Sequence, residues 1–218
     1  MEKGSAPSST VVGDILFYKA PSGINAFDGT GAVSVSQALG QERYNSAIGG
    51  RLGNKYYISM KDSKGENNIF AYDVQKGFWM REDDRNISFF ADMGGELYFI
   101  DSEGNLGTMG GSEGVPEDDF EWEAQSGMIG CDYYGKKYIS RLNLRMSQEK
   151  NCHAEFFIQY DYSGQWEKRG VVKGMGKGYT FTLPIVPRRC DHLRFKIKGN
   201  GEFRLYSVTR ILEKGSDV

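Results

Sequence analysis

The sequence predicts an all-β chain in two parts, an incomplete β-propeller-like antiparallel meander followed by an antiparallel β-sandwich. Three observations carry this. Gly is abundant, at 29 of 218 residues against 5 Pro, and Tyr and Phe number 13 each, which suits short aromatic strands joined by tight turns. In the first half a strand–hairpin–strand pattern returns about every 40 residues, the spacing of propeller blades. From Lys136 onward apolar and polar residues alternate strictly, the period of half-buried strands.

The first ten residues, MEKGSAPSST, are small and polar and read as a flexible lead-in over 1–10. The meander is expected over 11–112. GDILFYKAPSGINAFDG (Gly13–Gly29), GNKYYISMKDSKGENNIFAYDVQKGFWMRED (Gly53–Asp83) and GGELYFIDSEGNLGTMGG (Gly94–Gly111) share one grammar: a glycine turn, an aromatic strand, a hairpin and a second strand. The middle copy adds a third strand, FWMRED. Closed propellers have about 4–8 blades, and three copies fall short. Either the chain is a piece of a longer propeller, or the following domain or another subunit covers the meander. One short helical stretch is expected in SVSQALGQERY, with Ser36 as cap and Gly40 as stop.

Residues 113–130 read as an acidic linker and a strand, and 131–218 as the sandwich. In YISRLNLRM the alternation puts Tyr138, Leu142, Leu144 and Met146 on one face and Ile139, Arg141, Asn143 and Arg145 on the other. In CHAEFFIQYD it turns Cys152, Ala154, Phe156, Ile158 and Tyr160 inward. In PRRCDHLRFKIKG (Pro187–Gly199), Leu193, Phe195 and Ile197 form the core face, opposite Cys190, His192, Arg194, Lys196 and Lys198.

Charge is divided unevenly along the chain. Residues 1–130 hold 10 Lys/Arg against 20 Asp/Glu, and residues 131–218 hold 17 against 9. Such a split suits complementary contacts, within the chain or between subunits. No cluster of exposed aromatics on a basic stripe points to nucleic acid. Three cysteines without CxxC spacing argue against a disulfide scaffold. No apolar run reaches the ~18 residues of a membrane span, so the sequence predicts a soluble chain made in the cytoplasm, without a membrane partner.

Candidate chemistry is sparse. Cys190 and His192 could offer two zinc ligands, and Cys131 or Cys152–His153 would have to complete the set. As a nucleophile–base pair they stand too far apart along a strand, at about 6–7 Å. DSKGENN (Asp62–Asn68) and DSEGN (Asp101–Asn105) lack the full ligand spacing of a calcium loop and read as Asx-type hairpins. KGMGKGY and MGGSEG lack the spacing and following helix of a phosphate loop. No carboxylate pair stands out for glycoside hydrolysis. Trp166, in SGQWEKRG after a turn, is the best stacking platform for a sugar, ahead of Trp79 and Trp122. Neither a catalytic residue nor a cofactor is assigned.

The stretches EWEAQSGMIG, KKYISRLNLRM, AEFFIQYDYSGQWEKRG and FTLPIVPRRCDHLRFKIKGNGEFRLYSVTRILEKGSD resemble prophage-encoded virion proteins of Gram-positive gut bacteria. VVGDILFYKAPSGINAFDG, GNKYYISM and FAYDVQKGFWMREDD extend the resemblance over almost the whole chain. It implies propeller-type blades followed by a β-sandwich, organised like the tail-stabilisation or adaptor proteins below a phage portal. The function so implied is a non-catalytic virion structural role through protein–protein contacts, with other virion proteins or further copies as partners, in the host cytoplasm during assembly and then in the virion. Arg141, Arg145, Arg194, Lys196 and Lys198 are expected to form a basic interaction face, with the acidic linker as a counterpart. The alternative is a carbohydrate-binding module using Trp166.

Overall fold

The computed structural model describes residues 5–110, 121–130, 137–174, 176–186 and 188–214. Cys131 and residues 113–120 of the acidic linker lie outside them. The chain divides into two compact units, Met1–Pro116 and Glu117–Val218.

The first unit is three antiparallel meander sheets. Blade 1 is β1 (Ser5–Val12), β2 (Ile15–Ala20), β3 (Gly23–Phe27) and β4 (Ala32–Ser34), paired in that order. Blade 2 is β5 (Asn45–Leu52), β6 (Lys55–Lys61), β7 (Asn67–Asp73) and β8 (Phe78–Asp83), and blade 3 is β9 (Ile87–Met93), β10 (Glu96–Asp101) and β11 (Leu106–Thr108). The same device opens each blade: its first two strands join through a two-residue turn whose first residue is glycine. Gly13, Gly53 and Gly94 hold φ of 60°, 57° and 64°, a left-handed conformation that only glycine adopts without strain. The DSKGENN and DSEGN hairpins are Asx turns, as the sequence suggests. Asp62 Oδ1 accepts from the backbone N–H of Lys64 and Glu66, and Asp101 Oδ1 from those of Glu103 and Asn105.

The lead-in assigned to residues 1–10 does not extend past the undescribed start, because residues 5–10 belong to β1. Polar side chains fix this strand in place of apolar ones. Ser8 is buried, its hydroxyl donates to Ser5 O and accepts from Lys19 N, and Ser5 Oγ donates to Ala47 O on β5. The short helix is a 3-10 turn over Ser36–Leu39, stopped by Gly40 at φ 76°. Ser36 does not cap it; its hydroxyl instead accepts from Ile24 N, tying the turn to β3.

Blades 1 and 2 share a core of Phe17, Ile24, Tyr56, Ile58, Met60 and Phe70. Phe17 stacks on Tyr56 at 5.1 Å, Tyr56 OH donates to Ser8 O, and Trp79 Nε1 donates to Val35 O. Burial pushes the Tyr56 phenol far above its ordinary range. Blades 2 and 3 share a second core of Tyr57, Ile69, Ala71, Phe90, Leu97 and Phe99.

The second unit is a β-sandwich. One sheet runs β12 (Glu121–Gln125), β18 (Leu193–Asn200), β14 (His153–Tyr160), β15 (Glu167–Lys173). The other is built on β13 (Lys137–Gln148), with β16 (Gly176–Leu183) and β17 (Arg189–Cys190) on one side and β19 (Phe203–Lys214) on the other. Their inner faces meet in one core that includes Leu142, Leu144, Phe156, Ile158, Leu193 and Ile197. The strand Glu121–Gln125, expected as a strand between the linker and the sandwich, is part of the sandwich.

The β14 alternation holds: Cys152, Ala154, Phe156, Ile158 and Tyr160 are all buried. In β13 the pairing with β19 slips at Ser140, a bulge residue between Ile139 and Arg141. One inserted residue reverses the phase, so Ile139 is buried at 1% exposure and Tyr138, expected inward, is only half-buried.

Candidate functional site

The densest stretch, Cys190 to Lys198, does not form one strand face. Cys190 ends β17 in one sheet, where it pairs with Lys137, while Leu193 opens β18 in the other, pairing with Tyr160 and bridging Ile129. The chain crosses between sheets at Asp191–His192, and the alternation breaks there. Cys190 therefore packs into the sandwich core and His192 is buried, both against the expectation of an outward face. A loop holds the crossing. Asp161, at φ 49°, accepts through Oδ1 from the backbone N–H groups of Asp191 and His192 and donates its own N–H to His192 O. The ring of Tyr162 meets the His192 ring edge-on at 4.6 Å. This is a structural clasp: it places two candidate metal ligands in different surroundings. Among the described residues no three His, Cys, Asp or Glu side chains gather to hold a metal.

The five basic residues occupy two faces, not one. Arg141 and Arg145 are exposed on the outer side of the β13 sheet. Arg194, Lys196 and Lys198 alternate with core residues on β18 and point out from the other sheet. On that sheet an acidic partner is already in place. β12 pairs with β18 so that Glu123 stands opposite Lys198, and its carboxylate lies 3.5 Å from Lys196 Nζ and 3.4 Å from Lys198 Nζ. Glu155 stands opposite Lys198 on the other side and bonds Lys168, a hydrogen bond that holds its carboxyl below the ordinary range. The outer face is a cross-strand ladder in which Glu123 pairs with Lys196 and Lys198, while Arg194 donates to the Ser126 carbonyl.

Trp166 lies against this ladder. It is half-buried, with Lys196 Nζ 4.6 Å from its ring centroid and the Arg194 guanidinium at 6.0 Å. The ring is thus engaged by cations of its own sheet. The Lys196 side chain is only 12% exposed, so its cation–π contact is worth about 1–2 kcal/mol. Lys196→Ala should lower the unfolding free energy by about that much and shift Trp166 emission to longer wavelength, whereas Lys198→Ala, half exposed, should cost about 0–1 kcal/mol. Equal losses in a denaturant titration of the two variants would contradict the contact.

In the first unit, exposed apolar side chains gather on two blade faces. Cross-strand pairing puts Val11, Leu16 and Phe27 in one row on blade 1, on the side away from blade 2. It puts Phe89, Ile100 and Leu106 in one row on blade 3, on the side away from blade 2. Exposure reaches 47% at Val11 and 37% at Phe27, and 58%, 40% and 71% at Phe89, Ile100 and Leu106; Met93, on the same side of blade 3, is 65% exposed. Contiguous exposed apolar residues of this kind mark contact surfaces. The sequence shows each as a strand residue; which face stays open follows only from the order in which blades pack.

No family model matches the chain, and no curated protein matches it. Among solved structures it is similar to an exo-β-1,3-galactanase from Phanerochaete chrysosporium, at 9% identity over 95% of this chain and 69% of that one, with a TM-score of 0.28. It is also similar to a glycoside hydrolase at 12% identity over 93% of this chain and 70% of that one, with a TM-score of 0.30. At these scores neither likeness bears on the fold or the activity. No helix among the described residues is long and apolar enough to cross a membrane.

Proposed function

We propose that the chain is a non-catalytic structural component of a phage virion, at a tail or head–tail adaptor position, working through protein–protein contacts. The observation that supports it most directly is the pair of apolar blade faces, led by Leu106 at 71% and Phe89 at 58% exposure. Exposed aromatic and aliphatic rows on rigid sheets are stable only where protein covers them, and they invite association. The sequence resemblance supplies the virion; the faces supply the means of joining it. A carbohydrate-binding module would need an open stacking ring, and the ring expected to serve, Trp166, carries the Lys196 ammonium.

The reading is tested by inducing the prophage, purifying particles on a density gradient and identifying their proteins by mass spectrometry. The chain is expected in the particle band in fixed proportion to the major structural proteins. A chain that stays entirely in the soluble fraction would overturn the reading.

A further inference from the structure

The three blades pack by one repeated contact. The face that blade 1 turns toward blade 2 carries Phe17, which meets Tyr56 and Tyr72 on the opposing face of blade 2. The face that blade 2 turns toward blade 3 carries Tyr57, Ile69 and Ala71, which meet Phe90, Leu97 and Phe99. Each blade thus has a trailing face, toward the blade after it, and a leading face, toward the blade before it. Aligned on the turn glycines Gly13, Gly53 and Gly94, Leu16 of blade 1 stands where Tyr56 and Leu97 stand on the leading faces of blades 2 and 3. Tyr98 of blade 3 stands where Phe17 and Tyr57 stand on the trailing faces of blades 1 and 2.

The two open faces are therefore the unmatched halves of the same contact. Among the described residues no other blade meets the leading face of blade 1, Val11, Leu16 and Phe27, or the trailing face of blade 3, Phe89, Met93, Ile100 and Leu106. We infer that a second copy of this chain covers both: the trailing face of blade 3 in one copy packs on the leading face of blade 1 in the next, and the reverse contact closes a six-bladed ring. This rests on the assembly reading above and names its first partner.

Geometry and size favour closure. Six blades fall within the ~4–8 of closed propellers, and a head-to-tail contact that closes gives a finite assembly, not a filament. From strand spacing and rise, one blade face covers roughly 300–400 Å² on each side. Two such contacts bury about 1,200–1,600 Å² in all, the size of a stable specific interface. One contact alone, at about 600–800 Å², falls below that range, so the ring is preferred over an open chain. Val11, Leu16 and Phe27 carry no charge; on the trailing face the buried Glu96 stands opposite Met93.

The full chain is tested by sedimentation equilibrium and by size-exclusion chromatography with light scattering. The expected result at tens of micromolar is a dimer of twice 24.5 kDa. Phe27→Lys on the leading face and Leu106→Glu on the trailing face should each raise the dimer dissociation constant on the order of 10- to 100-fold, the effect of a charge stranded in an apolar contact. Both positions are exposed in the single chain, and circular dichroism of each variant checks that it folds. Mixing the two variants restores dimers, because one contact is then wild type and the other sets Lys against Glu. A wild-type monomer, or a dimer that neither substitution weakens, overturns the inference. So does a mixture that stays monomeric. A monomer that is nonetheless found in purified particles overturns the ring and leaves the virion reading standing.

Discussion

Phe156→Ala should remove about 3–5 kcal/mol from the sandwich and leave the blade unit's own unfolding transition in place. Phe156 is fully buried at 0% exposure, and its aromatic neighbours come from two strands of the facing sheet, Phe181 of β16 at 5.5 Å and Phe203 of β19 at 6.5 Å. A cavity there cannot be filled by sliding one sheet, because β13 is held along its length by β19 on one side and by β16 and β17 on the other. The cores of the two units contain no residue in common: the sandwich cluster lies wholly between Trp122 and Phe203, and the blade clusters between Val12 and Met109. Scanning calorimetry should show two transitions, of which only the sandwich one falls. A single transition moving as a whole would mean the units unfold together; an unmoved thermogram would mean the Phe156 site is not the centre of a packed core.

How far the fold can be read from the sequence depends on whether a residue's fate is decided by its neighbours in sequence or by distant strands. Period-two alternation is local, and it places Ala154, Phe156, Ile158, Leu193, Phe195 and Ile197 in the core directly. The turn glycines are local too, since a left-handed φ is a property of one residue. Three features depend on strands far away. The bulge at Ser140 is a matter of register against β19, some seventy positions later, and it exchanges Tyr138 for Ile139. β1 is a strand because Ser5 and Ser8 find partners, one of them on β5, although serines at a chain start look like lead-in. Lys196 and Lys198 are paired because β12 brings Glu123 beside β18. Cys190 and His192, two apart in sequence, do not share a strand: Cys190 ends β17 and His192 lies in the crossing before β18, and a two-residue strand and a crossing look the same as one continuous strand when only alternation is read. The contact surfaces were hidden for a related reason: Val11 and Val12 are equivalent in composition, and only blade order leaves the first exposed at 47% and the second buried at 3%.

Gly49→Ala should be among the most disruptive single substitutions in the blade unit, although it adds one methyl group. Gly49 lies on β5 where it faces β1, and a Cβ built there falls 2.2 Å from Ser8 O and 2.7 Å from Ser8 C. These are backbone atoms of a strand fixed on both sides, by Tyr56 OH, which donates to Ser8 O, and by the Lys19 N–H, which donates to the Ser8 hydroxyl. Nothing flexible can yield, so the strain passes to the contact between blades 1 and 2, where Phe17 stacks on Tyr56. Overpacking of a core costs about 1–3 kcal/mol and occasionally more; with a backbone oxygen as the obstacle, a loss of about 3 kcal/mol or above is expected. Gly31→Ala is the matched control, since its Cβ meets nothing within 4 Å and its φ is not left-handed, and it should change stability by less than about 0.5 kcal/mol. Hydrogen exchange adds a spatial test. In Gly49→Ala the amides of β1 and β2 should exchange faster, while those of β9 and β10, packed on the far side of blade 2, should keep their protection. Because Val11 and Leu16 sit on those loosened strands, the variant should also lose self-association through blade 1 while blade 3 keeps its trailing face intact. Equal stability of the two glycine variants would show that β1 does not approach β5 this closely, and with it the packing order from which the open faces are deduced would fall.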